Sequence, residues 1–130
     1  MCRTSAPSIY AAGDCCSFPS GKYGRRIHLE SVQNAIDQAK AAVLAMLGKG
    51  AQYDRVPWFG SDQFDTKLQI AGLSQGADNV VLRGDMEAPG FSVAYLKDGR
   101  LIALDAVNQP KDYMMARCLV PGSFQANERD

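Results

Sequence analysis

Two hydrophobic periods follow each other along this chain of 130 residues, and one class of secondary structure cannot satisfy both. In the first part, apolar side chains recur at alternating steps of three and four residues, the spacing of one face of an α-helix. Beyond Tyr53 the apolar residues recur at about every second position, with turn residues between short runs, as in half-buried strands. The helical stripe consists of Leu29, Val32, Ile36, Ala39, Val43 and Met46. The change of period predicts an α+β chain with a helix first and an antiparallel sheet after it.

The second part of the chain contains four clear strand patterns and is expected to form a sheet of about four or five strands. The segment Lys97–Arg100 separates the last two, and its Asp-Gly pair supplies the positive φ angles of a tight hairpin turn. Pro110 is expected to open a helix that ends before Pro121. The four predicted strands are Thr66–Leu73, Asn79–Arg83, Phe91–Leu96 and Leu101–Val107.

The first part contains too few elements to form a domain by itself. Ser8–Ala12 is predicted to be a buried strand that stops at a Gly-Asp turn, and Ser17–Arg26 to be a loop. Gly48 is placed to end the helix that follows. One strand and one helix bury too little surface to offset the loss of chain entropy. The prediction is therefore residues 1–50 as the remnant of a larger domain, followed by an antiparallel-sheet domain over 51–130.

Composition narrows the classes of partner and compartment. Lysine plus arginine and aspartate plus glutamate each number 14, so the formal charge is zero and favours neither nucleic acid nor an anionic membrane. The chain has neither a signal-peptide core nor an apolar run long enough for a membrane helix. His28 and the cysteines lack the spacing of metal ligands, which predicts no metal site. Buried thiols in a reducing cytoplasm are the favoured interpretation of Cys2, Cys15, Cys16 and Cys118.

Two short segments are candidates for binding a ligand. Gly13 and Asp14 follow the predicted first strand, where a glycine lets a ligand approach the backbone and a carboxylate can accept hydrogen bonds from its hydroxyls. Glu30, Ser31 and Val32 open the helix, whose free N–H groups suit an oxygen that gains negative charge, such as that of a reduced flavin. The alternatives are an ordinary Gly-Asp turn and simple N-capping by Ser31 with Glu30 favourable near the helix dipole.

Seven segments, in chain order, carry a resemblance to a known family. They are T-S-A-P-S-I-Y-A-A-G-D-C at Thr4–Cys15, R-R-I-H-L-E-S-V-Q-N-A-I-D-Q-A at Arg25–Ala39, V-P-W-F-G-S-D-Q at Val56–Gln63, L-Q-I-A-G-L-S at Leu68–Ser74, V-L-R-G-D at Val81–Asp85, F-S-V-A-Y-L at Phe91–Leu96 and D-A-V-N-Q-P-K-D at Asp105–Asp112. These segments resemble the FAD-dependent NAD(P)H:ferredoxin reductases of the putidaredoxin, rhodocoxin and rubredoxin reductase type. The resemblance covers nearly the whole chain.

The resemblance implies a role for each candidate residue. Asp14 is expected to bond a ribityl hydroxyl of FAD, beside Gly13. The helix start at Glu30, Ser31 and Val32, chiefly the Val32 backbone, is expected to meet the pyrimidine edge of the flavin. No residue of the chain is assigned a catalytic role, because hydride transfer by a flavin needs no protein nucleophile.

The resemblance also implies that the chain is the C-terminal part of a reductase that moves electrons from NAD(P)H through FAD to the iron–sulfur ferredoxin of an oxygenase system. The sequence contains no G-x-G-x-x-G turn for FAD or NAD(P)H, so the N-terminal domains are expected to be missing and the chain alone to be inactive. The apolar face of the helix over Leu29–Leu47 is then expected to be exposed where a missing domain would cover it.

Two further expectations concern binding partners, and a third concerns a residue that differs from the family pattern. Arg25, Arg26 and Lys40 are candidates for docking an acidic ferredoxin. The resemblance also implies a second tryptophan near the flavin, where this chain has Gly60 after Trp58 and Phe59, and this replacement removes a large planar surface. A homodimer is the other expected partner, and the alternative function is a free-standing module that dimerises or binds a partner without catalysis.

Overall fold

The computed structural model describes residues 2–50 and 53–125, and within these ranges it contains two helices and seven strands. They form two compact units, Met1–Pro57 and Trp58–Asp130. Two antiparallel sheets together with the helices confirm the predicted α+β class. Ala51 and Gln52, which follow the predicted domain boundary, lie outside the described residues. Neither of the described helices is long and apolar enough to cross a membrane.

The first unit contains a short hairpin and one helix. The hairpin pairs β1 (Ser17–Ser20) with β2 (Arg25–His28), and α1 follows at Val32–Met46. This hairpin corrects the prediction of a loop over the same segment. Pro19 is tolerated because a two-stranded sheet has only edge strands, which can lack one N–H donor. Gly24 takes a φ of +58° in the connecting turn.

The segment Ser8–Ala12 does not form the predicted buried strand. Among the described residues its strand pairing is limited to one antiparallel bridge between Arg3 and Tyr10. Ile9 is 57 % exposed, and its N–H bonds back to the Ala6 carbonyl at 3.1 Å in a turn. A strand needs a neighbour that offers a continuous row of partners, and this tight turn leaves room for a single pair.

Gly48 ends α1 as predicted. Its φ is +69°, and its N–H bonds the Ala45 carbonyl at 3.1 Å while the Lys49 N–H bonds the Leu44 carbonyl at 2.9 Å. These two bonds form a Schellman motif, in which glycine is favoured because it adopts a left-handed backbone without steric cost.

The face of α1 that is buried within the first unit carries polar amides beside Ala41 and Ala42. Asn34 and Gln38 are fully buried. Asn34 donates from Nδ2 to the Leu29 carbonyl at 2.9 Å and accepts from the Tyr53 hydroxyl at 2.9 Å, so both ends of its amide are hydrogen-bonded. The expected exposure of the apolar face is confirmed except at Leu29, which lies before the helix and is buried. More than a third of each of the other large apolar side chains is exposed: Val32, Ile36, Val43, Leu44, Met46 and Leu47.

Tyr53 gives the first unit a testable dependence on alkaline pH. Burial, and then the Asp37 carboxylate, raises the pKa of Tyr53 to about 12. An unfolded tyrosine ionises near pH 10, at about its reference pKa. The unfolded chain therefore releases this proton first, and the contribution to stability, complete below about pH 10, is lost as the pH rises towards 12. In Tyr53→Phe, the stability of the first unit is expected to fall less between about pH 10 and pH 12 than in the parent protein.

The measurement is denaturant-dependent hydrogen exchange of α1 between neutral and alkaline pH. Tyr95→Phe is the matched control, since the pKa of Tyr95 is also raised, mainly by its hydrogen bond to Asp105, but this residue lies in the second unit. The same alkaline loss in Tyr53→Phe as in the parent protein would contradict the assignment.

The second unit is a five-stranded antiparallel sheet with one helix. Its elements are β3 (Trp58–Gln63), β4 (Thr66–Gly72), β5 (Asn79–Gly84), β6 (Phe91–Lys97), β7 (Arg100–Val107) and α2 (Pro110–Gln125). Its spatial order is β3-β4-β7-β6-β5, so β3 and β5 are the edges. The four predicted strands are confirmed, and β3 is an additional strand. Asp98 and Gly99, with φ of +50° and +73°, form the predicted turn between β6 and β7.

Helix α2 packs against β4 and β7 and continues through Pro121, which corrects the prediction that it ends before that residue. Tyr113, Ala116 and Val120 are buried at steps of three and four residues. A proline inside a helix loses one backbone hydrogen bond. The complete burial of Val120 holds this turn against the sheet and offsets that loss.

The strand register identifies the face of the sheet that α2 covers. One row of paired residues crosses all five strands. The guanidinium carbon of Arg117 on α2 lies 4.6 Å from the centroid of the Trp58 ring, which places this row on the helix-covered face. In order across the sheet, the row is Trp58, Ala71, Leu104, Ala94 and Val81.

Candidate functional site

The turn at Gly13 is held by a buried side chain from α1. Gly13 has a φ of +85°, which other residues adopt only with strain. Its N–H donates to Gln38 Oε1 at 2.8 Å, and its carbonyl accepts from the Cys16 N–H at 3.1 Å. Asp14 and Cys15 are the two central residues of this turn, and both are exposed. The turn therefore presents the Asp14 carboxylate to solvent from a fixed backbone.

The start of α1 is exposed and capped. Ser31 is the N-cap, with an extended backbone, and its Oγ accepts from the Asn34 N–H at 3.2 Å. N-capping by Ser31, which the sequence offered as the alternative to a ligand-binding role, is thus confirmed. Val32 is the first helical residue and is 75 % exposed. Its N–H precedes the first intrahelical hydrogen bond, so it points out of the positive end of the helix dipole.

His28 joins the two candidate segments. Its Nε2 lies 2.5 Å from the Asp14 carbonyl oxygen, so the imidazole carries a proton on Nε2 and donates it to that carbonyl. The same Nε2 is 3.8 Å from a carboxylate oxygen of Glu30. A Cβ added to Gly13 would lie 3.6 Å from the Ala35 Cβ, in the first turns of α1. The structure therefore gathers the five predicted residues at one end of α1.

Sequence reasoning missed two residues of this arrangement, His28 and Gln38. Gln38 follows the buried Asn34 by four residues, so the two amides share one face of α1. That pair of polar residues within a helix was the available signal, because it lies off the apolar stripe. His28 had only its position before the helix start to distinguish it.

The four cysteines are more exposed than predicted. Cys15 and Cys118 are exposed and Cys2 and Cys16 are half-buried, all four as free thiols. Cys2, Cys15 and Cys16 lie outside the helices and strands, in the segments before β1. Burial raises the pKa of the Cys16 thiol, with Cys15 and Cys2 adding to the effect, so the thiol stays protonated at neutral pH. It donates to Gln38 Oε1 at 3.3 Å and supports the turn.

A cavity of about 640 Å³ adjoins the turn within the first unit. Gln38 lines it, and the Nε2 atom of this side chain is buried with no hydrogen-bond partner in the described part of the chain. A buried amide donor without a partner costs free energy. In the described residues, no group of three or more His, Cys, Asp or Glu side chains is placed to hold a metal ion. The other residues around the cavity include Cys2, Thr4, Cys16, Phe18 and Arg26.

Gly60 lies in the exposed edge strand β3, two residues from Trp58 on the same face. A Cβ added here would meet only the Leu68 carbonyl oxygen within the described surroundings, at 4.0 Å. The backbone therefore has room for a side chain, and the missing aromatic is not imposed by packing. Trp58 itself is half-buried beneath Arg117.

The antiparallel sheet with its single packed helix defines a class of α+β domain that occurs in reductases. The chain belongs to the family described as Reductase C-terminal, whose model matches residues 58–129. The resemblance seen in the sequence is confirmed.

Similar proteins are ferredoxin reductases several times longer than this chain. A 5,5'-dehydrodivanillate O-demethylase ferredoxin reductase subunit from a Sphingobium species is 50 % identical over 120 residues, covering 92 % of this chain and 29 % of that protein. Putidaredoxin reductase from Pseudomonas putida is 40 % identical over 118 residues, covering 91 % and 28 %. The crystal structure of a covalent putidaredoxin reductase–putidaredoxin complex matches with a TM-score of 0.84 at 39 % identity, covering 92 % of this chain and 28 % of that one. This chain therefore spans less than a third of these relatives.

Proposed function

We propose that this chain is the flavin-contacting and C-terminal part of an FAD-dependent reductase that passes electrons from NAD(P)H through FAD to an iron–sulfur ferredoxin. The observation that carries the proposal is the joining of the Gly13–Asp14 turn to α1, through His28 just before the helix and Gln38 in its second turn. The similarity to ferredoxin reductases over about nine-tenths of the chain supports it.

The exposed groups at this end of α1 fit the two polar parts of a flavin nucleotide. The Asp14 carboxylate can accept hydrogen bonds from ribityl hydroxyls. The Val32 N–H and the helix dipole suit the pyrimidine edge, with Gly13 leaving the backbone open and Ser31 fixing the first turn. When bound, FAD supplies the redox chemistry, which this chain only positions.

Two features of the first unit support a larger intact protein. The first is the buried Gln38 Nε2 without a partner beside a 640 Å³ cavity. The second is the apolar face of α1, on which Val32 and Met46 are 75 % and 58 % exposed. We propose that both are covered by the N-terminal FAD and NAD domains. Free thiols suit the reducing cytoplasm as the compartment of that protein.

The chain alone is expected to retain no FAD after purification and to show no NADH-dependent reduction of a ferredoxin. Most of a dinucleotide's contacts would come from the absent Gly-rich turns. The measurement is visible absorbance after incubation with excess FAD and dialysis into flavin-free buffer, with intact putidaredoxin reductase as the positive control. Stoichiometric bound FAD would contradict the expectation of an inactive fragment. An upstream reading frame with two Gly-rich turns in the coding DNA would support the longer protein.

The surface of the first unit offers basic side chains to an acidic ferredoxin. Arg25, Arg26 and Lys40 are all exposed. The Arg26 guanidinium bonds the Ser17 carbonyl of its own hairpin, so Arg25 and Lys40 are the better docking candidates. The second candidate function is a non-catalytic module that dimerises. The observation that favours it is the exposed apolar strand at one edge of the second unit's sheet.

A further inference from the structure

The edge strand β5 is exposed along its whole length and carries three consecutive large apolar residues. Val80, Val81 and Leu82 are 57 %, 45 % and 47 % exposed. Alternate side chains of a strand point to opposite faces, so β5 presents apolar groups on both sides of the sheet. Its outer edge also carries backbone N–H and C=O groups that β6 does not use. Such an edge is a template for another strand.

The opposite edge of the same sheet is protected and β5 is not. In β3 the outer half is polar, and Asp62 pairs with Lys67 at 3.4 Å. Charged edge residues of this kind prevent strand addition. The single ionisable residue of β5, Arg83, is drawn towards α2 by an ion pair with Asp112 at 3.2 Å. Arg83 remains 75 % exposed, so β5 carries one charge near its C-terminal end, and that charge is paired within the same unit.

We propose that β5 pairs antiparallel with β5 of a second copy of this chain and joins the two sheets into one. A two-fold axis perpendicular to the sheet keeps each face continuous, so residues directly opposite each other must belong to the same face. Only a register centred on one residue satisfies this condition. Centring on Val81 pairs Asn79 to Arg83, and centring on Leu82 pairs Val80 to Gly84, so the two ladders are equally long. We choose Val81 because that centre places the three apolar residues opposite one another, whereas centring on Leu82 places Val81 opposite Arg83 and Val80 opposite Gly84.

The side chains suit that register. Val81 lies opposite Val81 of the second copy, and Val80 lies opposite Leu82, so apolar groups meet on both faces. Asn79 lies opposite Arg83. The two arginines are then four residues apart, which is about 13 Å along the strands and beyond the Debye length at physiological salt. The chain has zero formal charge, so no general repulsion opposes a second copy. This self-complementary pattern is the reason for choosing a second copy as the partner.

Cysteine trapping tests the register in nearly native protein. In Val81→Cys the two new thiols face each other directly, with Cβ atoms roughly 4.5–5.5 Å apart, close enough for a disulfide after small adjustment. In the matched control Val80→Cys, the two thiols lie diagonally at about 7–8 Å. Under mild oxidation, peptide mapping is expected to find at least a tenfold higher yield of the symmetric disulfide in Val81→Cys. Equal yields from the two variants, or no trapping of either, would overturn the proposal.

Sedimentation of the full chain tests the dimer itself. The parent protein is expected to sediment with twice the mass of one chain at high concentration, and Val81→Lys as a monomer, because two lysines would face each other. Leu119→Lys is the control, since Leu119 is an equally exposed apolar residue on α2, at 54 %. A monomeric parent protein, or loss of the dimer in Leu119→Lys as well, would refute the pairing. Because these measurements need no flavin, their outcome is independent of the FAD test.

Discussion

Replacing Gly72 with alanine is expected to destabilise the second unit by about 2–5 kcal/mol, a large part of the stability of a small domain. Gly72 ends β4 with a φ of +80°, which costs other residues about 1–2 kcal/mol. The added Cβ would also overlap the carbonyl oxygen of Ile102 and lie 3.0 Å from the Ala103 Cα in the neighbouring strand β7. Overpacking against backbone adds about 1–3 kcal/mol, because neither strand can move without breaking its ladder.

Gly76→Ala is the matched control for that substitution. Gly76 has a φ of +95°, but a Cβ there would meet no atom within 4 Å in the described structure. Gly76→Ala should therefore lower the free energy of unfolding only by the cost of a positive φ in alanine, about 1–2 kcal/mol. Denaturant unfolding followed by the fluorescence of Trp58, the single tryptophan, reports on this unit directly. Equal losses in the two variants would show that the contact with β7 is not what requires glycine at position 72.

Asn34→Ala is expected to be the most damaging single change in α1, with a loss of about 2–4 kcal/mol. Asn34 is fully buried and bonds both the Leu29 carbonyl and the Tyr53 hydroxyl. Removing one partner of a buried hydrogen bond costs roughly 1–3 kcal/mol, and this change removes two bonds. The alanine gains some helix propensity, which recovers only a fraction of that loss.

Ile36→Ala is the control variant, whose loss of stability is compared with that of Asn34→Ala. Ile36 belongs to the apolar stripe, so periodicity alone ranks it above Asn34 as a residue that packing needs. In the structure it is 49 % exposed, and its replacement should change stability by no more than about 0.5 kcal/mol. Hydrogen exchange of α1 amides in increasing denaturant measures both variants. A larger loss in Ile36→Ala than in Asn34→Ala would mean that the apolar face is already covered in solution.

The local signals in the sequence were sufficient for most of the second unit. Alternating apolar residues placed four strands within a residue or so of their observed ends, and an Asp-Gly pair placed the turn before β7. These features depend on neighbours along the chain, so a short window contains the information. The prediction that α2 ends before Pro121 was wrong because it used only the local effect of proline. The burial of Val120 against the sheet, a contact between distant segments, decides that α2 continues.

The candidate site was visible from the sequence only in outline. Ser31 as N-cap follows from a local hydrogen bond to Asn34, and it is confirmed. The flavin roles of the five predicted residues stay predictions until binding is measured. His28 and Gln38 were missed because their partners, Asp14 and Gly13, are 14 and 25 residues away along the chain. Contacts at that separation leave no periodic trace.

The sequence by itself determined the α+β class, the ends of α1 and the membership of a reductase family. Each depends on residue periodicity, capping chemistry or similarity, which are properties of short segments. Only the tertiary structure decided that α1 buries Asn34 and Gln38 rather than its apolar stripe, and that β5 rather than β3 is the unprotected edge. Burial depends on which other segments are present to pack against a face. An edge depends on the order of strands in space, which pairing across long separations determines.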